Sequence, residues 1–241
     1  MIDEKSTREE VIEAVRNDGY ALQYARQELK EDREVVLEAI MESASSLRFA
    51  SDELRGDREL VMEAVNQNGY AFEYASEQLR ADREVVLEAV KQNGLALKYA
   101  SDELRGDREV VMEAVKHKGI NLALKYASEE LRGDREVVLE AVKTDNYAFK
   151  DASDALKADR EVVLEVVRKH GHALQWASKK LKNDPELVLE AVKQDCLRYR
   201  RYTDYSEEAQ LNMVASYVDK FSNKLKFELL ECWVKCMEEN K

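Results

Sequence analysis

Apolar residues along this chain fall in a pattern that returns again and again. Within residues 82–106 they stand at Val85, Val86, Ala89 and Val90, the spacing of one helical face. They resume at Leu95, Leu97, Tyr99, Ala100 and Leu104, which predict a shorter second helix broken near Ser101. Asp82 is placed to cap the first helix, and Glu84 puts negative charge where the helix dipole favours it. Gly94 stands where the first helix stops and predicts a left-handed cap. No strand period competes, so the stretch reads as helix–turn–helix.

The capping aspartate recurs at Asp32, Asp57, Asp82, Asp107, Asp134, Asp159 and Asp184, every 25 residues except for a step of 27 after Asp107. Thr7 takes its place one period earlier. That makes seven full repeats and the first helix of an eighth. Glycine recurs at Gly19, Gly69, Gly94, Gly119 and Gly171, with Asn146 as a substitute, Ala44 in the second repeat and Cys196 in the eighth. The second-helix columns are unbroken, from Ala25 to Ala177 and from Leu29 to Leu181. One such hairpin cannot bury enough apolar surface alone. A regular tandem array predicts a stack in which each repeat covers its neighbour. The expected fold is therefore an all-α solenoid of seven to eight short helical hairpins over residues 7–195, after a flexible leader of residues 1–6. Residues 196–241 are expected to close it as a helical cap or to dock elsewhere.

The strings DREVVLEAV, KQNGLALKYA and YASDELR, recurring in register from residue 7 to about 194, resemble the repeat catalogued as domain of unknown function 4116. The resemblance implies an intracellular, host-associated protein. It brings no assigned activity and no catalytic residues with it.

Composition narrows the class. A net charge of -12 with 37% charged residues means that most outward faces are solvated. Three cysteines in 241 residues fit a reducing compartment, so a cytoplasmic location is expected, including the cytosol of a host cell. The start MIDEKSTREE is no secretory signal, and no apolar run approaches the ~20 residues of a membrane span. Pro185 occupies a first helical position, which tolerates it.

An aromatic column comprises Tyr24, Phe49, Tyr74, Tyr99, Tyr126 and Trp176, with Asp151 interrupting it; Tyr20, Tyr70 and Tyr147 lie one turn earlier. One reading is a groove for a partner peptide. The other is a structural spine in which each ring packs on the next repeat. Beside the caps run an arginine column from Arg8 to Arg160 and a glutamate column, Glu13, Glu38, Glu63, Glu88, Glu113, Glu140, Glu165 and Glu190. These predict ion-pair ladders between repeats, since the glutamates would repel the phosphates of an arginine-bound ligand. The early repeats are acidic, whereas the seventh carries Lys179, Lys180 and Lys182 and is followed by Arg198, Arg200 and Arg201. That basic region would suit an acidic partner segment. Nucleic acid as the main ligand is disfavoured by the overall charge.

Three Arg-Gly-Asp tripeptides, ending at Asp57, Asp107 and Asp134, are repeat junctions and not adhesion loops. Cys232 and Cys236, or His170 and His172 with Cys196, lack the four-ligand spacing of a zinc site. No nucleophile elbow or phosphate loop is written in the chain, so no catalytic, cofactor or metal residues are expected. Leu211, Val214, Val218, Phe221 and Leu225 have a coiled-coil spacing that suits either the cap or a homodimer. The reading is a non-catalytic scaffold for a protein partner. The alternatives are an acidic-ligand or nucleic-acid binder through the basic region, and a structural subunit of an assembly.

Overall fold

The computed structural model describes residues 2–117, 122–199 and 231; of residues 196–199 it describes the backbone alone. The basic segment from residue 200, the coiled-coil seam, both C-terminal cysteines and the insertion at Gly119 therefore lie outside the described residues. The chain divides into two units, Met1–Leu131 and Arg132–Lys241. Each is an all-α solenoid of the predicted repeats, with no strand among the described residues. No described helix is long and apolar enough to cross a membrane.

Every repeat begins with a long helix. In the first unit these are Arg8–Asn17, Arg33–Glu42, Arg58–Gln67, Arg83–Gln92 and Arg108–Lys116; in the second they are Arg135–Thr144, Arg160–Lys169 and Pro185–Tyr199. Their starts follow from the capping residue. Asp32 Oδ1 accepts from the backbone of Glu34 at 3.0 Å and of Val35 at 3.3 Å, and the same arrangement recurs at Asp57 and Asp82. Thr7 closes a reciprocal capping box with Glu10. Buried Val35, Val36, Ala39 and Ile40 show how each long helix feeds the core.

The second half of each repeat is broken at the serine, as expected, but its first piece is a short 3-10 segment in most repeats and not an α-helix. One further helical turn follows it; in the fifth repeat the described part of the first piece is the α-turn Ala123–Tyr126. In the fourth repeat Gly94–Tyr99 is 3-10, Ala100 and Ser101 are extended, and Asp102–Arg105 forms an α-turn. The 3-10 geometry puts residues three apart on one line. Gly94, Leu97 and Ala100 all point inward, and the matching line in the third repeat is Gly69, Phe72 and Ala75. Phe72 and Phe149 are the largest fully buried side chains. A buried Leu or Phe contributes roughly 1.5–3 kcal/mol.

The break at Ser101 has two causes. The serine Oγ accepts from Leu104 N–H and starts the α-turn. Its own N–H is drawn off to the preceding repeat, donating to the carbonyl of Arg80 at 2.9 Å. This backbone rung recurs in the first unit from Ser51 to Lys30, Ser76 to Arg55 and Ser128 to Arg105, and in the second from Ser153 to Arg132 and Ser178 to Lys157.

The glycine column also has a different cause from the one expected. The long helices end on an extended residue such as Asn93, with φ -155 and ψ 109, and neither Gly19, Gly69 nor Gly171 takes a positive φ. Each glycine instead lies against the end of the next long helix. A Cβ on Gly19 would stand 2.5 Å from the Ala39 carbonyl oxygen, and one on Gly69 would stand 2.9 Å from Asn93 Cβ.

The arginine ladder is present, with partners that differ from the glutamate column. Arg8 donates to Asp32 at 2.7 Å and to Glu34, Arg33 to Asp57 at 2.8 Å and to Glu59, and Arg83 to Asp107 at 2.8 Å and to Glu109. In the second unit Arg160 reaches Asp184 and Glu186, while Arg135 does reach the glutamate column, at Glu165. Asp57, Asp107 and Asp184 thus each hold their own helix start with one oxygen and the preceding arginine with the other. The Arg8 guanidinium, with the backbone of Val35 and Glu34, holds the Asp32 carboxyl below its usual range against partial burial.

A candidate partner-binding face

The 3-10 segments carry the aromatic column and set its exposure. Each is started by a polar residue at the end of the long helix. The side chains of Asp18, Asn68, Asn93 and Asp145 accept from the N–H two residues on, at 2.8–3.0 Å. One line of the 3-10 turn is buried, together with the alanine two residues after its glycine position (Ala71, Ala96, Ala148 and Ala173), and the remaining positions project. Tyr20 and Gln23 face outward, and Tyr24 is 56% exposed.

In the first unit, Phe49, Tyr74, Tyr99 and Tyr126 are half-buried. Tyr20 meets Phe49 of the next repeat edge-on at 6.0 Å between centroids. The Arg48 guanidinium lies 5.1 Å from the Phe49 ring centre and 5.7 Å from that of Tyr74, bridging two repeats. Lys98 and Lys125 lie over Tyr99 and Tyr126 at 4.9 and 5.8 Å. Burial pushes the Tyr99 hydroxyl pKa up, with the Glu73 carboxylate of the preceding repeat adding to the effect and Lys98 opposing it. The column therefore joins neighbouring repeats and still leaves ring surface open. The rings pack on neighbouring repeats on one side and face out on the other.

In the second unit the column residues are Asp151, which ends the segment Ala148–Asp151, and half-buried Trp176. Tyr147 supplies the ring that Asp151 does not, meeting Trp176 at 5.5 Å and His172 at 5.6 Å. His170 Nε2 donates to the Val142 carbonyl at 3.0 Å. Beneath them Asp145 is 6% exposed, and its second oxygen meets no hydrogen-bond donor among the described residues. Burial pushes its carboxyl up, with the Asp151 charge adding to the effect and the Tyr147 N–H and His170 opposing it. Arg198 belongs to the helix Pro185–Tyr199, but its side chain, like Arg200 and Arg201, lies outside the described residues.

Of the exposed residues, the sequence pattern names Tyr24 in the aromatic column and Tyr20, Tyr70 and Tyr147 one turn before it, but not Met41 or Leu122. Large apolar side chains standing free among the described residues are Tyr20, Tyr24, Met41, Tyr70, Leu122 and Tyr147. All belong to the 3-10 side of their repeats, in the 3-10 segment, its flank or the helix end leading into it. A count of exposed positions on a 3.0-residue period, in place of 3.6, finds Tyr20, Tyr70 and Tyr147 on one line. An open cleft of about 360 Å³ lies elsewhere, lined by Ile2, Ser6, Glu10, Glu13, Ala14 and Asn17. There the leader folds into a turn at Asp3–Ser6, and the Ser6 carbonyl accepts from Arg26 at 2.8 Å.

A family model described as Domain of unknown function (DUF4116) matches the chain six times, over residues 7–55, 33–80, 57–105, 82–132, 107–157 and 159–205. Comparison with curated proteins and with solved structures finds no match.

Proposed function

The chain belongs to the DUF4116 family, and from that premise we propose that it is a non-catalytic scaffold that binds a protein partner on the 3-10 side of its repeats. One observation carries this reading. Of the large apolar side chains exposed among the described residues, Tyr20, Tyr24, Tyr70 and Tyr147 stand in or beside the 3-10 segments, Leu122 precedes the turn Ala123–Tyr126, and Met41 lies in the last turn of the long helix Arg33–Glu42. Apolar side chains scattered by chance need no explanation, whereas a set gathered on one side of successive repeats marks a contact surface. Tyrosines suit the role, because a rigid ring covers area at little entropic cost and the hydroxyl tolerates water when the surface is free. A cytoplasmic location goes with this reading, on the cysteine count.

The test compares the full chain with a Tyr20→Ser, Tyr24→Ser, Tyr70→Ser variant in affinity capture from lysate. The three rings are 40%, 56% and 52% exposed, so their removal is expected to leave the helical circular dichroism intact. The captured partner is expected to be lost. A partner retained at full occupancy by a folded variant would remove the face from consideration.

A further inference from the structure

The first unit has an uneven charge distribution, and the 3-10 side is where it turns positive. The segments that build that side, with the helix ends leading into them, include residues 16–24, 41–49, 66–74, 91–99, 116–117 and 122–126. Their described charges are Arg16, Arg48, Lys91, Lys98, Lys116 and Lys125 against Asp18, Glu42 and Glu73. Across the rest of the unit carboxylates outnumber cations widely, as the overall charge of -12 requires.

Occupancy sharpens the contrast. Arg16 is held by Glu38 at 2.7 Å, and Lys91 and Lys116 lean on Glu88 and Glu113 within their own helices. Arg48, Lys98 and Lys125 enter no ion pair among the described residues; each lies over an aromatic ring instead. Of the anions, Asp18 accepts from Tyr20 N–H, while Glu42 and Glu73 enter no ion pair among the described residues. An approaching ligand therefore meets rings and three unpaired cations against two such carboxylates on this side of the first unit.

We infer that the partner presents an acidic, extended segment to this side, with carboxylates meeting Arg48, Lys98 and Lys125 and apolar side chains meeting Tyr20 and Tyr70. The inference rests on the partner-binding reading above and specifies the partner's chemistry. Packed helices stand about 8–10 Å apart, and an extended chain advances about 3.3 Å per residue, so one repeat matches about three residues of ligand. A carboxylate at every third residue can meet Arg48, Lys98 and Lys125 in the second, fourth and fifth repeats, where the first and third carry Gln23 and Glu73. A polynucleotide carries charge at every step, so phosphates between the cations would fall within a Debye length, about 8 Å at physiological salt, of the acidic flanks.

The experiment uses the full chain and labelled probes, two 15-residue peptides of about one charge per three residues and one oligonucleotide, read by fluorescence anisotropy at low salt. The probes are (Glu-Leu-Ser)5, (Lys-Leu-Ser)5 and a 15-nucleotide oligouridylate, as set by the spacing argument. The acidic peptide is expected to bind, to weaken with added salt, and to lose about tenfold in affinity in an R48E/K98E/K125E variant, a change typical of rim charges summed over three sites. The neutral R48Q/K98Q/K125Q variant is expected to fall between the two, which separates lost attraction from a damaged fold. Acidic-peptide binding unchanged in both variants overturns the inference. A lysine peptide that binds and is released by the three tyrosine substitutions overturns it while leaving the partner-binding face standing. Oligouridylate that binds more tightly than the acidic peptide and is lost in R48E/K98E/K125E assigns the cations to nucleic acid and overturns it too. Concentration-dependent self-association lost in the same variant would assign the side to a second copy of the chain, again against the inference.

Discussion

Two glycines of this chain are expected to respond to the same substitution with opposite sign. A methyl group on Gly69 would stand 2.9 Å from Asn93 Cβ and 3.0 Å from both the Ala89 oxygen and the Asn93 nitrogen. Those backbone atoms are locked together by the Asn93 to Ala89 hydrogen bond at 2.9 Å, which ends the next long helix. Relief therefore requires two repeats to separate by several tenths of an ångström, and overpacking of this kind costs about 1–3 kcal/mol. A methyl on Gly56 would meet only Ser76 Oγ at 3.6 Å and Ser76 Cβ at 3.8 Å, ordinary contact. The homologous positions carry Ala81 and Ala158. Removing the backbone freedom of a glycine in the unfolded chain stabilises by about 0.4–1 kcal/mol when the native conformation is compatible. Gly56→Ala should raise the urea midpoint and Gly69→Ala should lower it, a separation of roughly 2–3 kcal/mol between the variants. Circular dichroism during urea denaturation reads both. A Gly69→Ala midpoint at or above that of the parent chain would refute the close-approach argument and return the glycine column to the capping role expected from its position. The second repeat gives an internal reference, since Ala44 already places a buried Cβ there.

Two further outcomes follow from the same contacts. Asp57→Ala removes a helix cap and the acceptor of Arg33 together, so it should cost about 1–2 kcal/mol, while Arg33→Ala, a partly exposed partner, should cost no more than ~1 kcal/mol; equal losses in urea denaturation would mean that the cap contributes nothing. The raised carboxyl of Asp145 binds its proton more tightly folded than unfolded, so its contribution to stability is present below the unfolded pKa and is lost as pH rises through the folded one; Asp145→Asn should remove that loss and raise the melting temperature more at pH 7 than at pH 4, and a gain that is the same at both would sink the assignment.

The long helices were readable from sequence because each is announced by a capping aspartate, an apolar face of period 3.6 and a stop. The Ala and Leu columns likewise named buried residues correctly, Ala100 and Leu104 among them. What escaped notice obeys another period. Gly94, Leu97 and Ala100 are spaced by three, a spacing that belongs to the 3-10 turn and that a helical reading absorbs as a poor match. The serine column from Ser51 to Ser178 was invisible for a related reason: a polar residue near a predicted break looks like solvent-facing loop, and nothing local tells that its N–H bonds to a carbonyl 21 residues earlier. The arginine column was seen and its partners misplaced, because Asp32 and Asp57 already had an evident task as caps and seemed fully used. On the candidate face, sequence located the rings of Tyr74 and Tyr99 but not which flanks stay open, since exposure depends on the neighbouring repeat.

Most rungs between repeats join a residue to another at a recurring distance along the chain, 24 from Arg8 to Asp32 and again from Arg83 to Asp107. A gene of this kind can lengthen or shorten by unequal crossing-over in steps of a whole repeat. Copying any 25-residue stretch leaves each arginine with an aspartate ahead of it and each serine with a carbonyl behind, so the daughter protein has no orphaned charge to repair. Loss of part of a repeat breaks caps and rungs at once. The eighth long helix begins with Pro185 where the others have arginine, so it sends no guanidinium forward. Such a helix makes a poor template for duplication, and growth of the array is expected among the interior repeats, where the near-identical strings DREVVLEAV and DREVVMEAV lie.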